Sequence, residues 1–419
     1  MESKEISLKT ALISQAISKA FQLGASVCIG GLTARYLGPA LLGKLSYVAA
    51  IVSMLSPLGS LGTKESLSAL LCSTAPLQGL VSSAFIIQLV GTALTCLLVV
   101  PIAYFSGDNE MRLLYACAVI ASLLASFEVL EVELLNKHLG KVLAKINAWQ
   151  VLTGSLLTLA LLLSRATLIG FGVVPTLQAG IRALLLWRAS NIRTLREWTG
   201  SADVATCKAL IARGLPVVMS GFTIMIYMKS DQVILDWMKG SYYVGQYSVA
   251  ASVAESIYFL PVVLSQTYTP RLGKHLNDNN RNEEHDHIIK EFYKRAWLLG
   301  ICMVAFTATA LPVILSVVYG KQYAQAITPL VCLSPAVFAV AIGTATGSWL
   351  NIKGYLDILF WRTAAGAILN IILNLLLIPR YGISGAAVAT SASQLIAANA
   401  IQLLDTRTRL NHRLALFPF

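Results

Sequence analysis

The feature that most constrains this chain is a recurrence of apolar stretches, each about 18–25 residues long. That is the length a helix needs to cross a hydrocarbon core about 30 Å thick. Twelve are legible: Thr10–Leu32, Leu41–Gly62, Leu80–Ala103, Leu113–Leu135, Ala148–Leu163, Ala166–Trp187, Leu215–Leu235, Val244–Tyr268, Ala296–Val318, Ala324–Leu350, Ile358–Ile378 and Ser384–Leu404. Hydrocarbon offers no partner for a backbone N–H or C=O, so segments of this kind are expected to be helices. When the spans alternate from an inside start, the inner loops and tails hold twenty-one Lys and Arg and the outer loops seven. The outer seven are Arg35, Lys44, Arg112, Arg165, Lys239, Lys321 and Arg380. The positive-inside rule then puts both termini in the cytoplasm. The expected fold class is all-α integral membrane.

Composition points the same way. Charged residues make up 12% of the chain, against about 25% in soluble domains, and mean hydropathy is +0.69. Met1–Lys9 is polar and the first apolar stretch is a full span without a small-residue cleavage site, so no removable signal peptide is expected. The net charge of +12 reads as inner loops lying against anionic headgroups, and a nucleic-acid partner is rejected. Seven cysteines without a CxxC pair read as small buried hydrophobes. The longer hydrophilic stretches are Asn191–Gly214, a candidate interfacial amphipathic helix, and Arg271–Arg295, whose Asn277–Glu284 portion reads as a solvated loop. Neither is long enough for a catalytic domain with its own core.

A repeat underlies the spans. Gly43-Lys44-Leu45-Ser46, followed by Ala49-Ala50, opens span 2, and Gly245-Gln246-Tyr247-Ser248, followed by Ala250-Ala251, opens span 8, 202 positions later. Gly382-Ile383-Ser384-Gly385-Ala386-Ala387 opens span 12 in a looser version. Each reads as a tight outer turn into a helix whose small residues permit close approach. The offset is about half of the 419 residues, which predicts two parallel six-helix bundles related by a pseudo-twofold axis along the membrane normal. The expected division is 1–190 for the first bundle, 191–214 for a linker, 215–404 for the second bundle and 405–419 for a tail. Two such halves make a transporter with the substrate path between them.

Four segments carry a family resemblance. They are Arg35-Tyr36-Leu37-Gly38-Pro39 with Gly43; Lys229-Ser230-Asp231 with Val244 to Ala251; Tyr319-Gly320-Lys321-Gln322-Tyr323; and Asn370, Asn374 and Ile378 to Ala387. In this order, and covering nearly the whole chain, they resemble the bacterial polysaccharide-unit (O-antigen, Wzx-type) flippases of the multidrug/oligosaccharidyl-lipid/polysaccharide exporter superfamily. The resemblance implies translocation of an undecaprenyl-pyrophosphate-linked oligosaccharide from the inner to the outer leaflet of the bacterial inner membrane. It implies a cationic cavity between two six-helix bundles, membrane lipids as surroundings, and a polysaccharide polymerase and chain-length regulator as candidate partners. No cofactor is implied beyond a proton or sodium gradient.

Ionisable groups within the spans are costly, roughly 2.5–3.5 kcal/mol each at the bilayer centre on insertion scales, and so mark function or structural pairing. Lys19, near the middle of span 1, reads as a cavity cation for the headgroup or as the partner of a nearby carboxylate. Lys229 is the better cavity candidate of the span 7 pair; Asp231, nearer the outer end, reads as a coupling group or an interface cap. Glu255 is the most central acid. Low dielectric favours its neutral form, which makes it a candidate for proton uptake and release as access alternates. Glu128 and Glu131, three apart in span 4, share a face and are expected to share a proton or hold Lys137 or Lys141, while Glu133 reads as snorkelling to the interface. Arg182 and Arg362 are positive-inside anchors or meet the pyrophosphate at its entry. Asn370 and Asn374, one turn apart, read as helix glue more readily than as substrate ligands. Pro57, Pro216, Pro261, Pro312 and Pro335 are candidate bends.

Enzyme signatures do not occur. The chain has no Walker A sequence, no HExxH and no metal-ligand spacing, and its five histidines lie at or beyond inner span ends. Two other readings stay open. One is a drug/cation antiporter of the same superfamily, which fits the layout but not the four segments. The other, from a different class, is a membrane glycan polymerase or glycosyltransferase, which needs a sizeable outer loop.

Overall fold

The computed structural model describes the backbone of residues 2–70, 77–190, 202–277, 283–404 and 408, with side chains for most of them beyond residue 23. Among the described residues the chain is helical throughout, with short turns and no strand. The helices are α1 (Glu2–Ser60), α2 (Thr63–Leu70), α3 (Leu77–Phe105), α4 (Asn109–Ala125), α5 (Leu130–Asn136), α6 (Gly140–Leu163) and α7 (Leu168–Ala189). They continue as α8 (Val204–Lys239), α9 (Ser241–Glu255), α10 (Phe259–Asn277), α11 (Glu283–Tyr319), α12 (Ile327–Cys332), α13 (Ser334–Ile352) and α14 (Leu356–Leu404). Among the described residues, ten stretches are long and apolar enough to cross a membrane, two of them 43 residues long.

Each of those two long stretches, Ser26–Ser68 and Leu356–Ala398, is reversed at a glycine, and the first also turns at Leu61–Gly62 before α2. Gly38, with φ of 73° and ψ of 169°, breaks α1, and Gly382, with φ of 56° and ψ of −132°, breaks α14. A Cβ disfavours positive φ, so glycine supplies each reversal. Each broken stretch therefore counts as two crossings, and the total is the twelve spans drawn on the sequence. The architecture is all-α and multi-pass.

Two expectations for the polar connections change. α10 runs on to Asn277 and α11 starts at Glu283, so most of the 271–295 connection is helix; only 278–282 lies outside the described residues. Of the candidate interfacial helix at 191–214, residues 191–201 lie outside the described residues, while 204–214, with Lys208 and Arg213, are the first turns of α8.

By packing, residues 44–229 form one compact unit, and residues 1–43 with 230–419 form the other. These units are cut inside α1 and α8, whereas the halves drawn on the sequence end where polarity rises, at 190 and 215. In the unit 44–229 a core of Leu67, Leu80, Phe85, Leu130, Leu134 and Leu186 gathers α2, α3, α5 and α7. Lys44 Nζ reaches Asp108 Oδ2 at 2.6 Å and Glu110 Oε2 at 3.0 Å. The Lys44 bond holds the Asp108 carboxyl below the usual carboxylate range, and Asp108 also caps α4 through Glu110 N.

In the other unit the segments of the sequence resemblance meet. The helix ending at Gly38 leaves its last carbonyls without intrahelical donors. Gln322 Nε2 donates to Ala34 O at 3.2 Å and to Arg35 O at 2.9 Å, and the Tyr323 hydroxyl donates to Ala34 O at 3.0 Å. The Arg35 guanidinium returns a bond to Val317 O, and Gln246 Nε2 donates to Gln322 O at 2.7 Å. A second core, built on Tyr268, Phe292, Tyr293, Trp349 and Leu350, packs α10, α11 and α13. Pro261 and Pro335 stand in the first turns of α10 and α13, where a missing N–H costs no helical bond.

Candidate functional site

The unit 44–229 holds a cluster of four charges from three places in the chain. Span 4 is interrupted by a turn of 3-10 helix at Ser126–Val129, between α4 and α5. At three residues per turn, positions i and i+3 eclipse. Glu128 in that turn and Glu131 just beyond it therefore face one way. Gln88 of α3 supports the interruption, donating to Ala125 O at 3.3 Å and accepting from the Thr63 hydroxyl at 3.0 Å.

Two cations meet the carboxylates. Lys64, on α2, reaches Glu128 Oε2 at 2.6 Å and Glu131 Oε2 at 3.4 Å. Arg182, on α7, bonds Glu131 Oε1 and Gln150 Oε1 through its two terminal nitrogens. Its Nε lies 3.8 Å from Glu128 Oε1 and is buried without a hydrogen-bond partner. Lys64 and Glu128 each keep 32% of their side-chain surface exposed, against 18% for Arg182 and 16% for Glu131. A cavity of about 160 Å³ opens beside them, lined by Glu128, Gln150, Gln178 and Arg182 on its polar side and by Phe127, Pro175 and Leu186 among its apolar residues.

Glu128 and Glu131 do hold cations, but the expected ones, Lys137 or Lys141, are corrected. Their cations are Lys64 and Arg182, which come from other helices. Lys137 instead pairs with Glu133 at 2.5 Å, one helical turn away, and Glu133 is buried rather than snorkelling. Arg182 is tied into the bundle, not an interface anchor.

The unit containing 230–419 holds a buried network. Asp231, on α8, is 3% exposed, so the interface-cap reading is also corrected. A buried carboxylate without partners costs several kcal/mol. Here Tyr247 of α9 donates its hydroxyl to Asp231 Oδ2 at 2.5 Å, Thr390 of α14 approaches the same oxygen at 3.5 Å, and Gln232 N bonds Oδ1 at 2.7 Å. Asn370 Nδ2 donates to Thr390 Oγ1 at 3.3 Å and to Ser393 Oγ at 3.2 Å. Asn370 Oδ1 accepts from Ser230 Oγ at 3.1 Å and from Asn374 Nδ2 at 2.9 Å. Both asparagines are fully buried. They join α8 to the two halves of α14, the glue role read from their spacing.

The remaining sequence candidates stand on four different helices. Glu255 is the last residue of α9, half-buried, at a break over 256–258 that interrupts span 8. Pro261 explains the break, since a continuous helix would need its absent N–H to bond residue 257. Arg362 is half-buried on α14 and donates to Gly343 O of α13 at 3.2 Å. Lys229 is half-buried on α8. Lys19 lies on α1, and its side chain is outside the described residues. No group of three or more His, Cys, Asp or Glu suited to a metal ion occurs among the described residues.

Sequence reasoning missed Lys64, Gln88, Gln150, Tyr247 and Thr390 as site residues. Lys64 counts as a loop cation when depth is judged from hydropathy alone. The others are polar but uncharged, and hydropathy does not register them as costly. The usable signal was the pair Glu128 and Glu131, which demanded a cation from outside its own helix.

Residues 32–328 match a family described as "Polysaccharide biosynthesis protein". Among curated proteins the chain is similar to the capsular polysaccharide biosynthesis protein CapF of Staphylococcus aureus, 23% identical over 195 residues, or 46% of this chain and 49% of CapF. It is also similar to the probable low-salt glycan biosynthesis flippase Agl15 of Haloferax volcanii, 24% identical over 319 residues, or 74% of this chain and 65% of Agl15. The chain thus spans about half to somewhat under two thirds of these relatives' lengths. Among solved structures, an inward-facing multidrug resistance MATE family transporter of the MOP superfamily superposes with a TM-score of 0.72 at 16% identity, over 94% of this chain and 95% of that one. The lipid II flippase MurJ in an inward closed conformation superposes with a TM-score of 0.68 at 16% identity, over 96% of this chain and 90% of MurJ. At such identity the likeness is one of fold.

Proposed function

This chain belongs to the polysaccharide biosynthesis protein family, and from that premise we propose that it is a flippase rather than an enzyme. Its cargo in this reading is an undecaprenyl-pyrophosphate-linked oligosaccharide repeat unit, moved from the inner to the outer leaflet of the bacterial inner membrane for O-antigen or a related surface polysaccharide. The observation that carries the reading is the family match itself, lying on a fold whose described residues are nearly all spans. The descriptions of Agl15 as a probable glycan biosynthesis flippase and of CapF as a capsular polysaccharide biosynthesis protein support the reading, and the drug-antiporter reading shares only the fold. The mechanism proposed is alternating access. Lys19, Lys229, Arg182 and Arg362 are proposed to attract the anionic headgroup, with Glu255, Glu128 and Glu131 in coupling or gating.

The same reading assigns ion coupling to Asp231. Its carboxylate is buried with two hydroxyl oxygens, those of Tyr247 and Thr390, and a buried carboxylate is a group whose proton occupancy its surroundings can set.

Loss of the protein is expected to leave lipid-linked glycan units on the inner leaflet while their synthesis continues. Surface polysaccharide length and inner-leaflet lipid-linked glycan, measured in a null strain, test this. Normal surface polysaccharide in a null strain without a second flippase overturns the reading.

A further inference from the structure

The four-charge cluster is asymmetric in a way that ion pairing alone does not require. Arg182 and Glu131 are the better-buried pair, and Gln150 also holds the guanidinium. Lys64 and Glu128 are the half-exposed pair. Lys64 has one short bond, to Glu128 at 2.6 Å, and one long contact, to Glu131 at 3.4 Å. Glu128 faces two cations. Its Oε2 is on Lys64, while its Oε1 stands 3.8 Å from Arg182 Nε, a buried N–H with no hydrogen-bond partner.

A second seat for the Glu128 carboxylate is therefore already built. Closing 3.8 Å to a normal N–H···O distance takes a movement of about 1 Å. The cavity of about 160 Å³ between Glu128 and Arg182 supplies the room, and its polar wall of Gln150 and Gln178 keeps the path from being apolar. The move satisfies the vacant Nε and, carrying Oε2 with it, lengthens the 2.6 Å bond to Lys64 by up to about 1 Å. Lys64 is then held only by long contacts, with a third of its side chain exposed.

We propose that Glu128 is a two-seat carboxylate that masks Lys64 in this structure, and that a diphosphate headgroup binds Lys64 as Glu128 moves onto Arg182. The ligand class rests on the flippase reading above. The chemistry favours it independently: a diphosphate is a stronger anion than one carboxylate and competes for the cation. Lys64 is thereby a substrate-binding residue, Glu128 a positioning residue that sets its availability, and Arg182 the receiver of Glu128.

A double-mutant cycle on the full chain in lipid nanodiscs tests this, reading equilibrium binding of undecaprenyl pyrophosphate, with undecaprenol as a neutral control and inorganic pyrophosphate as competitor. Lys64→Gln is expected to weaken binding about tenfold or more. Glu128→Gln is expected to tighten it several-fold, because Lys64 loses its competing carboxylate. In the Lys64→Gln background that tightening is expected to vanish. Competition by inorganic pyrophosphate assigns recognition to the phosphates. No competition, with undecaprenol binding as tightly as its pyrophosphate, overturns the proposal.

A purely structural cluster gives another pattern: both variants lower the thermal midpoint, and Glu128→Gln tightens nothing. Tightening by Glu128→Gln that persists without Lys64 also overturns the proposal. If either Gln variant is not recovered folded, Lys64→Arg and Glu128→Asp replace them. The first is expected to keep binding, and the second, one methylene shorter, to tighten it; failure of the second to do so counts against the proposal. A null strain with normal surface polysaccharide defeats the flippase reading whatever the cycle gives. Accumulated inner-leaflet glycan with no coupling in the cycle defeats only the two-seat carboxylate.

Discussion

Asp231 shows how a single residue's role depends on its neighbours. From depth alone it is an acid near the outer end of a span. In the fold it is enclosed by Tyr247, Thr390 and the asparagine network, so removing its charge should not empty the site. Asp231→Asn is expected to keep protein abundance, since the amide oxygen still accepts from Tyr247, while transport loses its dependence on an imposed ion gradient and falls at least tenfold. Proteoliposome transport under proton and sodium gradients checks this, with membrane abundance measured beside it. Gradient dependence that survives the substitution removes Asp231 from coupling. Asn370→Ala is the contrasting case. It strips donors from Thr390 and Ser393 and an acceptor from Ser230, and each polar group left buried and unsatisfied costs roughly 1–3 kcal/mol. Its expected effect is loss of folded protein.

At the scale of elements, the repeat glycines Gly43 and Gly245 are not the tight turns read from the sequence: both lie inside helices, and the positive φ falls five residues earlier, at Gly38 and Gly240. Gly43 and Gly245, the matching glycines of the two repeats, pack against each other's helix starts. A Cβ on Gly43 would lie 1.7 Å from Ser241 O and 2.9 Å from Gly245 N, and one on Gly245 would lie 1.9 Å from Pro39 O. Small residues let helix backbones come this close, which is how packing stabilises helices when lipid is as apolar as they are. Gly43→Ala is expected to force the helices apart, lowering the unfolding midpoint by the equivalent of about 1–3 kcal/mol. Gly343→Ala is the control. No atom lies within 4 Å of its Cβ, and alanine in a helix is neutral or stabilising by about 0.4–1 kcal/mol. Thermal unfolding of both in detergent decides the matter, and equal midpoints would show the crossing to be loose.

For the whole molecule, the proposed orientation follows from the excess of Lys and Arg in alternate loops and is open to direct measurement. In a cysteine-free background, Gly107→Cys and Gly240→Cys in intact cells are expected to react with a membrane-impermeant thiol reagent from the periplasmic side. Gly140→Cys is expected to react only after permeabilisation. All three glycines have open space around a new Cβ, but Gly107 and Gly240 hold φ of 70° and 91°, which a side chain strains, so the thermal midpoint of each variant is read beside its labelling. The reverse pattern overturns the orientation, and with it every depth assigned to Lys19, Lys229 and Glu255.

Hydropathy period and length determined the helical class and the twelve spans, because a chain in hydrocarbon has few other ways to satisfy its backbone. The turn at Gly382 was legible for the same local reason, whereas the turns read at Gly43 and Gly245 fall at Gly38 and Gly240 instead. The family resemblance was legible too, since its segments are contiguous. The partners of the intramembrane charges were not. Glu128 and Glu131 find Lys64, 64 and 67 residues earlier, and Arg182, 51 residues after Glu131, and no local pattern encodes which helix faces which. Lys137, the nearest cation in sequence, went to Glu133 instead. Asp231 likewise depends on Thr390, 159 residues away. Periodicity says that a buried charge must be compensated, but only the packing of helices distant in sequence decides which side chain compensates it.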